Sequence, residues 1–174
     1  PRVTETTPTM RDVDALIGPA TPHFALQIRT RVRNLVADLP ADHLTFLVRT
    51  SILDLLSGPL CDFVAGTGDE NAQQAAPVPR GSSVEHLHEL VAVGAFTEAL
   101  DDEGTWFRYH PLLREVLRRR LAQTVPADEI AGLYARASAW HENHTLLDEA
   151  LAYAIAGGQI QLATEFMQRH RQQM

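Results

Sequence analysis

No lysine occurs in this chain; all fifteen basic residues are arginine. That excludes, within these residues, a phosphate-binding loop of the G-x-x-x-x-G-K-[ST] type and any Schiff-base chemistry, because both need a lysine amine. Aromatic residues make up only 6%, so leucine, valine, isoleucine and alanine must supply most of the packing. The single cysteine, Cys61, cannot close an internal disulfide. It lies between Leu60 and Asp62 on an apolar stretch, where a buried, inert thiol is the expectation rather than a nucleophile. There is no apolar run of roughly 18 residues and no signal-peptide pattern, so no membrane partner is expected and a reducing, cytoplasmic setting fits. Neither a G-x-S-x-G nor a glycine-rich nucleotide loop is present, so no self-sufficient active site, and hence no enzyme, is expected.

What is there suits one good core or two small ones: 174 residues, 45% of them hydrophobic. The net charge of −7 argues against nucleic acid as the partner of the whole chain. Pro1 in place of an initiator methionine leads us to expect a piece of a larger protein.

The organising stretch is AFTEALDDEGTWFRYHPLLREVLRRRL, residues 95–121. Its apolar period changes from about two to about 3.6 within a few residues, which reads as strand, turn, strand, helix. Asp101-Asp102-Glu103-Gly104 supplies the turn chemistry. Trp106 and Arg108 are expected on one side of the second strand, with Phe107 and Tyr109 on the other. His110 falls at the last strand position and Pro111 at the first helical one, where a missing N–H costs nothing. A histidine at the mouth of a helix N-terminus stands where an anion such as a phosphate is favoured. The bland reading, a histidine that fills the corner and bonds a backbone carbonyl, stands beside it.

Around this stretch, residues 1–22 read as linker or disordered tail, and 23–40 as a connecting helix. After Pro40, Asp42 can cap a helix whose apolar positions run from Leu44 through Leu55 and Leu56. Ser57-Gly58-Pro59 ends it and opens a short helix over 60–65, followed by a polar loop over 66–79. Ser82 or Ser83 caps a helix over 84–93 that Gly94 terminates. The helix 111–123 carries Arg118-Arg119-Arg120 near its C-terminal end, where cations offset the dipole. Three helices, a hairpin and a helix make residues 41–123 a winged-helix module. Residues 127–174 then change to short helices over 127–143, 147–156 and 160–170, in which alanine alternates with large apolar residues. That is the texture of TPR-like helical hairpins. The fold class is therefore mainly α, with one β-hairpin. Ile155 and Met167 are placed on the apolar faces of the last two helices.

The would-be recognition helix carries Glu85, His86, His88 and Glu89, and carboxylates facing phosphates would be repelled, so direct DNA readout is not expected. His86 and His88 are two apart and fall on different helix faces. His141-Glu142-Asn143-His144 is one residue short of the spacing that puts two imidazoles on one face, so no metal site is expected.

FLVRTSILDLLSGPLCDFVAG (46–66), LHELVAVGAFTEALDDEGTWFRYHPLLREVLRRRL (87–121) and LYARASAWHENHTLLDEALAYAIAGGQIQLATEFM (133–167) resemble the large LuxR-type regulators related to MalT, members of the STAND class of signal-transduction ATPases. The resemblance implies a neighbouring ATP/ADP-binding domain in the same chain, a helical repeat sensor for an inducer or protein partner, and DNA contact only through a C-terminal domain absent here. It also implies a role for His110. In this class a Met-His-Asp motif of the winged helix carries a histidine that approaches the β-phosphate of ADP, and Tyr109-His110-Pro111 stands at the matching corner with only the histidine kept. No cofactor is expected within these residues themselves. The reading is a non-catalytic regulatory segment coupling nucleotide state to a sensor; a freestanding helical adaptor is the alternative.

Overall fold

The computed structural model describes residues 30, 32, 34, 36, 39–66 and 83–169. The expected tail over 1–22, most of the helix over 23–40, and the loop from 67 onward lie outside the described residues. Residues 30, 32, 34 and 36 are helical, and Val32 and Val36 are buried in the core.

Helix α1, Ala41–Thr50, begins at Pro40 with no side-chain cap. Asp42 is therefore not the cap expected from the sequence. It lies inside the first turn, where its charge meets the positive end of the helix. The helix also stops at Thr50 instead of running on to Leu56. Two hydroxyls take carbonyls near its end: Thr50 Oγ1 donates to Phe46 O (2.8 Å) and Ser51 Oγ to Val48 O (2.7 Å). Such local bonds compete with helix continuation. Leu56 is then drawn into the sheet, where its N–H and C=O exchange with Phe107 at 2.9 and 2.8 Å. Leu55, expected inward, is exposed.

Helix α2, Gly58–Ala65, has Ser57 as its N-cap, accepting from Leu60 N–H at 3.4 Å, and closes on Gly66 at φ +79°. Helix α3, Ser83–Ala92, starts with Ser83 inside it, and the cap-like bonds come from another element: Asp62 accepts the Ser83 N–H at 3.2 Å and its hydroxyl as well. At its far end Gly94 N–H reaches Val91 O (3.1 Å) and Ala95 N–H reaches Leu90 O (2.8 Å), a Schellman closure with Gly94 at φ +65°.

Strands β1, Thr97–Ala99, and β2, Phe107–Tyr109, pair antiparallel with Glu98 opposite Arg108. The Asp101 carboxylate organises the turn by accepting the N–H groups of Thr105 (2.8 Å) and Trp106 (3.2 Å). Phe107 and Tyr109 are buried and Arg108 is exposed, as the alternation requires.

Helices α4, Pro111–Thr124, α5, Ala127–Asn143, α6, Leu147–Ala156, and α7, Ile160–Arg169, follow the expected spans closely. On α6, however, Tyr153 turns inward and Ile155 is 62% exposed, and on α7 Met167 is 46% exposed. The architecture is mainly α: a winged helix of α1, α2, α3, the β1–β2 wing and α4, followed by a helical hairpin and a further helix. A single buried cluster runs through both parts, since Leu133, Ala137, Trp140 and Tyr153 belong with Phe46, Leu56, Phe107 and Leu113.

Candidate functional site

The end of β2 is anchored by Tyr109, whose hydroxyl meets Thr50 Oγ1 at 2.8 Å inside the core. The next residue, His110, donates its backbone N–H to Phe96 O (2.8 Å), and its ring sits edge-on to that of Phe96, with centroids 6.0 Å apart. Phe96 holds φ at +51°, an unusual value for a bulky side chain, at the residue just before β1 that faces this corner.

His110 lies one residue beyond the strand, not at its last position as the sequence suggested. It is the N-cap of α4 (φ −56°, ψ 139°), and its Nδ1 accepts the Leu112 N–H at 3.2 Å. An Nδ1 that accepts leaves the proton of a neutral imidazole on Nε2. The helix mouth is thereby less open than the sequence implied: Pro111 has no N–H, and the next donor is taken by the histidine itself. His110 is 7% exposed.

The arginine run behind it has a different task from the one expected. The last turn of α4 holds no basic residue, and Arg118 lies further back along the helix. Its guanidinium crosses to the residues just after α1, donating to Ser51 O (Nε, 3.2 Å) and Ile52 O (Nη2, 2.9 Å). Arg119 pairs with Glu115 one turn back. Two other arginines close the end of α2: Arg49 donates to Ala65 O (3.2 Å) and Arg136 to Val64 O (2.8 Å). The carbonyls at both helix ends thus receive cations, as the negative end of a helix favours. Sequence reasoning gave no role to Arg49, Arg114, Arg136 or Tyr153. For Tyr153 a signal existed, because it stands three residues after Ala150 on the inward face.

Among the described residues, the remaining chemistry-bearing side chains do not converge. His86 is buried against His43 (4.9 Å between centroids) and Phe46 (5.6 Å), whereas exposed His88 meets Phe107 edge-on across the wing at 5.2 Å. His43 Nε2 lies 3.4 Å from the Glu89 carboxylate. His141 and His144 each bond a carbonyl one turn back on their own helix, Ala137 O and Trp140 O, at 2.7 Å. Among the described residues no group of three or more His, Cys, Asp or Glu is placed to hold a metal ion. The Cys61 thiol is fully buried, and burial together with the Asp62 charge pushes its pKa far above the usual thiol range. Glu85 and Glu89 are exposed on α3, so this face carries carboxylates. No helix among the described residues is long and apolar enough to cross a membrane.

Helix order and wing define a winged-helix domain whose third helix presents carboxylates to solvent. The model of the MalT winged helix domain matches residues 32–129, and the chain belongs to that family. Two relatives, each an HTH-type transcriptional regulator MalT, come from Klebsiella pneumoniae subsp. pneumoniae and Klebsiella pneumoniae strain 342. Each is 30% identical over 125 residues, covering 72% of this chain and 12% of the relative. The chain therefore spans about an eighth of the length of the proteins it matches.

Proposed function

We propose that this chain is a non-catalytic regulatory segment of a MalT-type transcriptional regulator. Its winged helix reports the nucleotide state of a neighbouring ATPase domain to a TPR-like helical sensor. The observation that carries the reading is the placement of His110. It caps α4 at the strand–helix corner of a MalT-family winged helix, with its ring fixed from both sides by Leu112 and Phe96. With Nδ1 committed to the Leu112 N–H, the neutral ring carries its proton on Nε2 in one defined direction, and the family resemblance makes that N–H the group that would turn to a phosphate oxygen of ADP once the adjoining domain is in place. Release of that contact when ATP replaces ADP would favour an open form, and effector binding to the helical repeats would shift the same equilibrium. Promoter contact would belong to a separate DNA-binding domain.

Exposed Ile155, Ile160 (79%) and Met167 support continuation of the helical array, because a following hairpin would cover them. The same residues are what a freestanding adaptor would use, and that remains the second reading.

The test uses the full-length regulator containing this segment. His110→Ser keeps an oxygen able to cap α4 but removes the imidazole, while His110→Ala removes both. Loss of ADP retention in both variants, with reduced stability in the alanine variant only, is the expected result. Unchanged ADP retention in both would overturn the reading.

A further inference from the structure

The segment between α1 and α2 is gripped from two sides. From α4, Arg118 holds the carbonyls of Ser51 and Ile52, Arg114 Nε donates to Ser51 O at 3.3 Å, and Arg114 Nη2 pairs with the Asp54 carboxylate. From α6, the Tyr153 hydroxyl accepts the Asp54 N–H at 3.0 Å. Arg114 donates its own backbone N–H to His110 O (3.0 Å), so it stands on the turn that His110 caps.

Tyr153 is 7% exposed, and its ring lies 4.8 Å from that of His141 on α5. Burial raises the phenol pKa above its usual value, opposed by the bond from the Asp54 N–H and by the Arg114 and Arg118 charges, with the Asp54 charge adding to the rise. The hydroxyl therefore remains protonated at neutral pH, with its oxygen committed to Asp54. Two further bonds across this seam run elsewhere: Arg49–Glu129 and Arg136–Val64 tie α5 to α1 and to the far end of α2. Through Tyr153 the helical hairpin thus meets residues that also hold the first turns of α4.

We propose that Tyr153 is a coupling residue, through which α6 follows the position of the N-terminal turn of α4 by way of Arg114 and Asp54. The inference rests on the reading of His110 given above and names the route by which the state of that corner reaches the helical array. The path is a contiguous set of charge-assisted and backbone hydrogen bonds. The Asp54 carboxylate is largely exposed, so the firmer grip is that of Arg114 and Arg118 on Ser51 O and Ile52 O, through which a shift of α4 would pull on the backbone that leads to Asp54 N–H and Tyr153.

Amide hydrogen exchange on the full-length regulator loaded with ADP, and separately with ATP, tests this. In the parent protein, amides of both α4 and α6 should exchange at different rates in the two nucleotide states, by about 5-fold or more, the lower end of typical coupling. Tyr153→Phe keeps the ring packing and removes the acceptor. The α4 difference should persist in this variant while the α6 difference falls below about 2-fold, since the missing hydrogen bond is the link. A merely structural tyrosine would instead speed α6 exchange equally in both states and leave the difference intact, which overturns the proposal. Absence of any nucleotide dependence at α4 in the parent protein would overturn the reading of His110, and the coupling with it.

Discussion

Arg49 on α1 pairs with Glu129 in the first turn of α5, eighty residues further along the chain. The same guanidinium donates to Ala65 O and so closes α2. It is 6% exposed, and desolvation lowers its pKa from the usual arginine value. Glu129 is more open to solvent, at 37% of its side chain, which weakens the pair but leaves it directional.

Removing each partner should therefore have unequal effects. Arg49→Ala strands a buried carbonyl and a carboxylate together, and is expected to lower unfolding free energy by about 2–3 kcal/mol. Glu129→Gln leaves Arg49 its carbonyl and an amide oxygen, so the loss should stay below about 1 kcal/mol. Urea denaturation of the two variants checks the ranking, and equal losses would refute it.

The seam is more than this pair. Leu133, Ala137, Trp140 and Tyr153 share one core with the winged helix, and Ser138 Oγ and Gln159 Nε2 stitch α5 to the chain that follows through Ala150 O (2.8 Å) and Ala131 O (2.6 Å). The family match ends at residue 129, inside α5, but the packing does not. A chain ending after Thr124 would uncover the side of that cluster which α5 and α6 bury. It should unfold at a markedly lower urea midpoint than a chain ending after Arg169, and should bind the dye ANS. Matching midpoints would mean that the two parts are energetically independent.

Much of this arrangement was legible because it depends on local signals. Helices α5 and α6 carry a clear 3.6-residue period and end on short turns, and their expected bounds agree with the structure. The wing was readable from Asp101–Gly104 and the alternation of Phe107 and Tyr109. The misreadings arise where backbone groups find partners that periodicity does not register. Ile52 to Leu56 has helical spacing, yet long-range bonds from Arg118 and Phe107 claim its backbone, and periodicity cannot register partners so distant in sequence. The corner position of His110 was readable from His110-Pro111, but not the ring's use as a cap. That depends on one side-chain torsion, and it takes up a donor that the sequence left open for an anion.

Three buried acids make stability sensitive to alkali. Burial raises the pKa of Tyr109, Tyr153 and the Cys61 thiol in the folded state. Their contribution is complete below the unfolded values, near 8.5 for a thiol and near 10 for a phenol, and is lost as pH rises from those values toward the folded ones. Unfolding free energy should fall with a slope of up to about 1.4 kcal/mol per pH unit for each group that titrates only when unfolded. Urea curves at a series of pH values from neutral upward should show the decline, with Tyr109→Phe flattening it above pH ~10. A flat profile would contradict the burial of these groups. Cys61 should also resist thiol reagents until the protein unfolds.

Gly58 offers a test in which two effects of known sign oppose each other. It is the first residue of α2, where alanine would ordinarily be better tolerated than glycine by up to about 1 kcal/mol. However, a Cβ at this position would come within 2.9 Å of Val84 Cβ on α3 and 3.3 Å of the Val84 backbone nitrogen. Neither is the far end of a flexible chain, so α2 and α3 would have to separate, straining the Asp62–Ser83 bonds that hold them. Overpacking of this kind costs about 1–3 kcal/mol, so Gly58→Ala is expected to destabilise despite its favourable propensity. Val84→Ala should not rescue it, because the atom met is the β-carbon itself. A stabilising Gly58→Ala, read from the urea midpoint, would mean that the two helices are not held this closely.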